Sequence, residues 1–245
     1  MRGTASGRSH SASWRICLSL AMMAFGWLAA FRCEGAAAKV KLPRGVVITS
    51  ESKTHVHAHI SDLRLQEYPA LTNLHALFTV YYVGAGTTDE KLEALSKLRF
   101  TNMVCVVFTD CPTVTDKGIE HLAKINTLTN LGLRQMTMTD VSCQALAERF
   151  HLDGINMPKC GRVTVEGLVR VAQSKSLSHF GFSLGKLGQA GLLRILGAAG
   201  PKLKRIDLDL DDANEALLDF PAVRQAANAK GISLFAVRKN GVSKF

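Results

Sequence analysis

One short pattern dominates this chain: an apolar residue, two variable positions, an apolar residue, one variable position, and a third apolar residue. It occurs at Met103, Val106 and Phe108, at Leu128, Leu131 and Leu133, and at Leu152, Ile155 and Met157. It returns at Leu177, Phe180 and Phe182, and at Leu203, Ile206 and Leu208. A poorer copy comes first, at Leu74, Leu77 and Thr79, and a last copy is read at Ile232, Phe235 and Val237. The steps between first positions are 29, 25, 24, 25, 26 and 29 residues. Near-constant spacing of this kind restricts the fold strongly. Each copy is too short to bury an apolar face alone, so neighbouring copies must stack.

Between the copies run stretches with helical periodicity: Asp89–Leu98, Asp116–Ile125, Ser142–Phe150, Val165–Gln173 and Ala190–Ala198. In the second of these, Ile119, Leu122, Ala123 and Ile125 cluster on one helical side. Thr115–Asp116 and Thr139–Asp140 stand where helix N-caps are useful, since their oxygens accept otherwise unpaired backbone N–H groups. Each unit is therefore one short strand plus one helix.

Two segments share a finer signature, Cys111-Pro-Thr-Val-Thr-Asp-Lys-Gly118 and Cys160-Gly-Arg-Val-Thr-Val-Glu-Gly167, with a degraded copy at Met136-Thr-Met-Thr-Asp140. With the 24–26-residue steps, this resembles the cysteine-containing subtype of leucine-rich repeat, known from F-box adaptor proteins and from secreted bacterial proteins. The resemblance covers about residues 71–245. Met136, Gly185, Asp211 and Asn240 stand where the subtype places Cys, the last two copies lack the Thr-Asp step, and no F-box-like helical module precedes the repeats. The adaptor function is therefore not carried over. The resemblance implies an α/β fold: a leucine-rich-repeat solenoid with parallel strands on a concave face and helices on a convex face. It also implies that Cys111 and Cys160 point inward as buried structural side chains, where a thiol acts mainly as a compact apolar group. Cys105 falls at a variable strand position and Cys143 early in a helix, so both are expected to be more accessible.

Residues 1–38 read differently. Arg2, Arg8 and Arg15 precede an uncharged apolar run from Ile16 to Phe31, and small residues follow at Gly35, Ala36, Ala37 and Ala38. That order is a secretory signal peptide. An uncleaved membrane anchor is the alternative, although the run of 16 falls short of a usual span. A mitochondrial presequence is a weaker one. Export, to a secreted or periplasmic location, is the favoured reading. Residues 39–70 are expected to form an N-terminal cap, with Val46–Thr49 and Val56–Ile60 as a hairpin, and 71–245 the repeat domain.

Removing residues 1–38 lowers the formal charge from +10 to +7, since four Arg and one Glu are lost. Along the sequence the remaining Lys and Arg are spread through the repeats and mixed with acids. Nucleic-acid binders concentrate such charge on one face and interleave aromatics, so no nucleic-acid partner is expected. Only a weak preference for acidic partners follows.

Catalytic chemistry finds little support. His55, His57 and His59 alternate and fall on one face of a strand, where three imidazoles invite a zinc ion and a metal-dependent hydrolase. The capping strand accounts for them more simply. Asp207, Asp209, Asp211 and Asp212 invite calcium, but Leu208 and Leu210 alternate with the acids as in a strand with one solvated side. No phosphate-cradling loop and no nucleophile elbow occur. No cofactor is expected. The exposed strand positions remain, and they vary chemically from copy to copy: Asn130, Gly132 and Arg134; Gly154 and Asn156; His179, Gly181 and Ser183; Arg205, Asp207 and Asp209; Ala236 and Arg238. The expected function is a non-catalytic module that binds a protein partner through this face. A structural subunit or spacer of an envelope assembly is the alternative.

Overall fold

A computed structural model describes residues 42–51, 55–74, 77–148, 151–210, 215, 218–238 and 241–244. The expected leader, Asp211, Asp212 and Asn240 lie outside the described residues. All described residues belong to one compact unit, Gly35–Phe245.

The fold is α/β, built on one ten-stranded sheet whose strands lie in sequence order. The strands are β1 (Val46–Glu51), β2 (Val56–Ile60), β3 (Leu77–Val83), β4 (Cys105–Thr109) and β5 (Asn130–Arg134). They continue as β6 (Gly154–Met157), β7 (His179–Ser183), β8 (Arg205–Asp209), β9 (Ser233–Arg238) and β10 (Gly241–Lys244). From β2 to β9 every pairing is parallel. At the two ends β1 and β10 pair antiparallel with β2 and β9, so each end finishes in a hairpin. A 3-10 helix, Leu65–Asn73, joins β2 to β3. Helices α1 (Asp89–Ser96), α2 (Asp116–Leu122), α3 (Asp140–Glu148), α4 (Val165–Ala172), α5 (Gly188–Ala198) and α6 (Phe220–Ala229) follow β3 to β8 in turn. Parallel crossovers that keep one hand and always advance in one direction put every helix on the same side of the sheet. Consecutive helices accordingly pack on one another.

The core is the layer between sheet and helices. Each central strand sends alternate residues into it: Val106 and Phe108, Leu131 and Leu133, Ile155 and Met157, Phe180 and Phe182, Ile206 and Leu208, all within 3% of full burial. The first and last copies differ from the sequence reading. In β3, Val80 pairs with Val106 and Tyr82 with Phe108. The inward set is thus Leu77, Val80 and Tyr82, and Thr79 faces the other way. In β9, Leu234 and Ala236 pair with Ile206 and Leu208 and are buried, while Phe235 and Val237 lie on the opposite face. The last unit is one residue shorter before its strand. Both faces of β9 are apolar, so alternation alone selects neither register.

The Thr-Asp-x-Gly signature has a structural cause. Asp116 at the start of α2 accepts from the next unit: the Thr139 N–H reaches its Oδ1 at 2.8 Å and the Thr139 hydroxyl its Oδ2 at 2.7 Å. Asp89 receives Thr115 in the same way at 2.9 and 2.6 Å, and Asp140 receives Thr164 at 2.9 and 2.6 Å. Each Thr begins its own helix, and Thr115 and Thr139 also cap theirs by accepting from Lys117 and Val141 N–H. The incoming carboxylate crowds the third helical residue. A Cβ on Gly118 would sit 2.4 Å from Asp89 Oδ1, and one on Gly167 would sit 2.2 Å from Asp140 Oδ1. In the intervening unit Ser142 stands there instead, and its hydroxyl and N–H both donate to Asp116. Burial pushes the Asp116 carboxyl up, but the hydrogen bonds from Ser142 and Thr139 outweigh it, and the group titrates below the usual carboxylate value.

The cysteines follow a second ladder. Asp110, Gln135 and Lys159, just beyond the ends of β4, β5 and β6, lie in the left-handed region, at φ of 55°, 56° and 60°. The next residue turns inward: Cys111 and Cys160 are buried, and Met136 fills the place between them. The Cys111 thiol donates to the Tyr82 carbonyl at 3.7 Å and the Cys160 thiol to the Leu133 carbonyl at 2.9 Å, each in the preceding strand. Burial raises both thiols, Cys160 to about 11. Cys105 and Cys143, expected to be more accessible, are 4% and 0% exposed, and none of the four is in a disulfide. Cys105 lies on the open side of the sheet between the neighbouring strands β3 and β5, and Cys143 lies at the α3–α4 contact against Gly167.

Candidate functional site

The sheet side away from the helices carries three rows of side chains, each crossing the strands through the pairing register. The first row runs His57, Thr79, Cys105, Asn130, Gly154, His179, Arg205 and Ser233. The second runs His59, Tyr81, Val107, Gly132, Asn156, Gly181, Asp207 and Phe235. The third holds Val83, Thr109 and Arg134 in β3–β5, then Ser183, Asp209 and Val237 in β7–β9. Residues 22 to 28 positions apart in sequence thus become neighbours about 4.8 Å apart.

Near the C-terminal end these rows carry a polar cluster made of two adjacent hydrogen-bonded groups. Asp207, 2% exposed, lies between His179 and Arg205. The Arg205 guanidinium donates to both its oxygens, Nε to Oδ1 at 2.7 Å and Nη2 to Oδ2 at 3.1 Å. His179 Nε2 is 3.0 Å from Oδ2. Burial pushes Asp207 up, yet the hydrogen bonds and charges of His179 and Arg205 prevail and hold it below the usual carboxylate range. Burial dominates at His179 and lowers it despite the Asp207 carboxylate. The pair is therefore a neutral imidazole donating to an ionised carboxylate, which Arg205 neutralises. The guanidinium also stacks over Phe235, with Cζ 4.1 Å from the ring centroid. Beside it, the Ser183 hydroxyl donates to Asp209 at 2.7 Å and accepts the Lys159 N–H at 2.9 Å. Glycine shapes the surface: a Cβ on Gly181 would meet Asn156 Oδ1 at 2.3 Å, so the Asn156 amide lies across that strand.

The cluster brings together six of the expected positions: Asn156, His179, Ser183, Arg205, Asp207 and Asp209. Asn130 and Arg134 lie on the same face, both on β5, one strand from Asn156 and two from His179, and Asn130 donates to Thr129 Oγ1 at 3.0 Å. Arg238 and Ala236 do not belong to it. The β9 register puts both on the other side, where Ala236 is fully buried and Arg238 forms a two-point ion pair with Glu215. Among the residues missed on this face, Thr79, Phe235 and Val237 were hidden by the misread strand registers.

At the N-terminal end, His57 and His59 share the face, but their rings pack on aromatic neighbours. His59 stacks on Tyr81 at 4.8 Å, and His55 meets the Phe78 edge at 4.3 Å. Among the described residues no group of three His, Cys, Asp or Glu side chains is arranged to hold a metal ion. Burial lowers His57 and His59, and His55 lowers His57 further. No family model matches the chain. No curated protein matches it at a significant level.

Proposed function

We propose that the chain is an exported, non-catalytic interaction module, a leucine-rich-repeat solenoid of the cysteine-containing subtype that binds a protein partner through the open face of its sheet. The sequence-ordered strand–helix units and the two inter-unit ladders support the solenoid reading. The observation that carries the binding reading is Arg205. Asp207 and Phe235 hold its guanidinium in one orientation, and Nη1, which has no hydrogen-bond partner among the described residues, can reach an acceptor on a partner. An arginine fixed in this way loses little entropy on binding, and such anchored Arg and aromatic residues are the types that dominate interfaces. The basic, apolar and small-residue order of residues 1–38 supports export.

Affinity capture from the native compartment with wild-type, Arg205→Glu and Asn156→Arg proteins tests this. The reading expects a protein recovered by wild type and lost from both variants. Capture that is indifferent to both substitutions overturns it.

A further inference from the structure

The parallel strands are all entered from the same edge of the sheet, so the helix-to-strand connections lie side by side. Among the described residues these connections carry Lys97, Arg99, Lys124, Lys175, Lys202, Lys204 and Lys230, every one exposed. Their only carboxylate is Asp153, whose Oδ1 accepts the Ser178 hydroxyl at 2.6 Å. Seven cations less one carboxylate leave +6, whereas the whole of residues 39–245, with 26 Lys and Arg against 19 Asp and Glu, carries +7. Charge that is mixed along the sequence is gathered on one edge by the fold.

Few of these cations are spoken for within the protein. Lys97 pairs with Glu93 at 2.9 Å. Lys230 donates to the Gly197 carbonyl at 2.9 Å, and Lys124 Nζ lies 3.3 Å from His121 Nδ1. Among the described residues none of the other four forms an ion pair. Helix dipoles account for part of the pattern, since a cation at a helix C-terminus is favourable. Lys97 and Lys230 are C-caps, and Lys124 follows one. Arg99, Lys175, Lys202 and Lys204 lie beyond the caps and have no such reason to be there. The opposite edge is different: Asp89, Glu90, Asp116, Asp140 and Glu166 occupy the first helical turns, with Lys117, Lys159 and Arg162 among them.

Strand and helix spacings set neighbouring units about 5–10 Å apart, so the cations form a file, one or two per unit. A file of this kind matches an extended polymer with regularly placed negative charges. It is poorly suited to single-stranded nucleic acid, which needs aromatic platforms; the one aromatic described in these connections, Phe100, packs against the core. It also lacks the apolar anchor of a membrane-binding surface, because the exposed large apolar residues Val47, Leu65, Val83, Val141 and Val242 all lie elsewhere. We propose that this edge binds an extended acidic polysaccharide laid across the helix-to-strand connections.

The test is a titration of the purified protein with polygalacturonate and with heparin over a series of salt concentrations. Both are expected to bind, with affinity falling steeply as salt rises. Lys124→Glu/Lys175→Glu/Lys202→Glu is expected to lose affinity on the order of a hundredfold. The opposite-edge variant Lys117→Glu/Lys159→Glu/Arg162→Glu and the open-face variant Arg205→Glu are expected to bind as wild type. Circular dichroism melts establish that the variants fold, and should the first triple variant fail, Lys175→Glu and Lys202→Glu alone carry the comparison. Equal losses in the two triple variants overturn the proposal. So does tighter binding, at the same salt, to duplex DNA or to anionic phospholipid vesicles. The Arg205→Glu result separates this edge from the open face, so either reading can fail without the other.

Discussion

Gly118 and Gly167 are small because a carboxylate from the preceding unit occupies the space a Cβ would need. Gly118→Ala is therefore expected to destabilise the fold by about 1–3 kcal/mol, although alanine is the better helix former. A lowered denaturant midpoint with an unchanged slope is the expected reading. Asp116→Ala removes the acceptor of both Thr139 bonds and both Ser142 bonds and is expected to cost about 2 kcal/mol. His179 gives a pH signature. Its folded pKa lies below 6.5, so the neutral form is the native one. Its contribution is then fully present above 6.5 and is lost as pH falls from 6.5 through the folded value, because the unfolded chain takes up the proton first. Asp207 and Asp116 are depressed carboxylates, and their contributions disappear at still lower pH, as each protonates in the fold. In His179→Gln, denaturation midpoints measured from pH 7 down to 3 are expected to show a smaller step below 6.5, the remainder belonging to His57 and His59, and to keep the acid limb.

The last strand shows how far alternation goes as a guide within one element. Ile232, Phe235 and Val237 satisfy the repeat pattern, yet Leu234 and Ala236 are the residues in the core. Leu234→Ala is expected to cost about 2–4 kcal/mol, and Val237→Ala less than about 1 kcal/mol. Thermal or denaturant melts of the two variants check the order, and the reverse order would contradict the register. The first copy was displaced for a related reason. Leu77, Val80 and Tyr82 fit the pattern better than Leu74, Leu77 and Thr79, but Tyr81 and Tyr82 are adjacent aromatics, and sequence alone does not say which faces inward. The central copies were legible because only one of their faces is consistently apolar. The helix starts were legible too, since Thr115 and Thr139 cap their helices through local bonds.

Across the whole molecule, stability is a chain of neighbour contacts, so the end hairpins matter beyond their size. Protein beginning at residue 61 lacks β1 and β2 and leaves β3 with a bare edge. It is expected to associate in size-exclusion chromatography where the full chain does not. The four cysteines report on the same continuity. Cys105, Cys111, Cys143 and Cys160 are each at most 9% exposed, and burial raises the thiols of Cys111, Cys143 and Cys160. Alkylation mapped by mass spectrometry is expected to leave all four unmodified in the native protein and to reach them together only on unfolding. Early labelling of one of them would reveal a unit that opens independently.

What the sequence determined by itself is local or periodic: the unit length, the helix starts, and the inward set of the central strands. The tertiary structure decided what depends on residues about 25 positions apart becoming neighbours. It chose the face of β3 and β9, it set Asp207 between His179 and Arg205 with Phe235 beside them, and it gathered Lys124, Lys175 and Lys202 on one edge. The physical reason is the same in each case. Burial patterns and caps are written within a single unit, whereas register and charge neighbourhood exist only once the units are stacked.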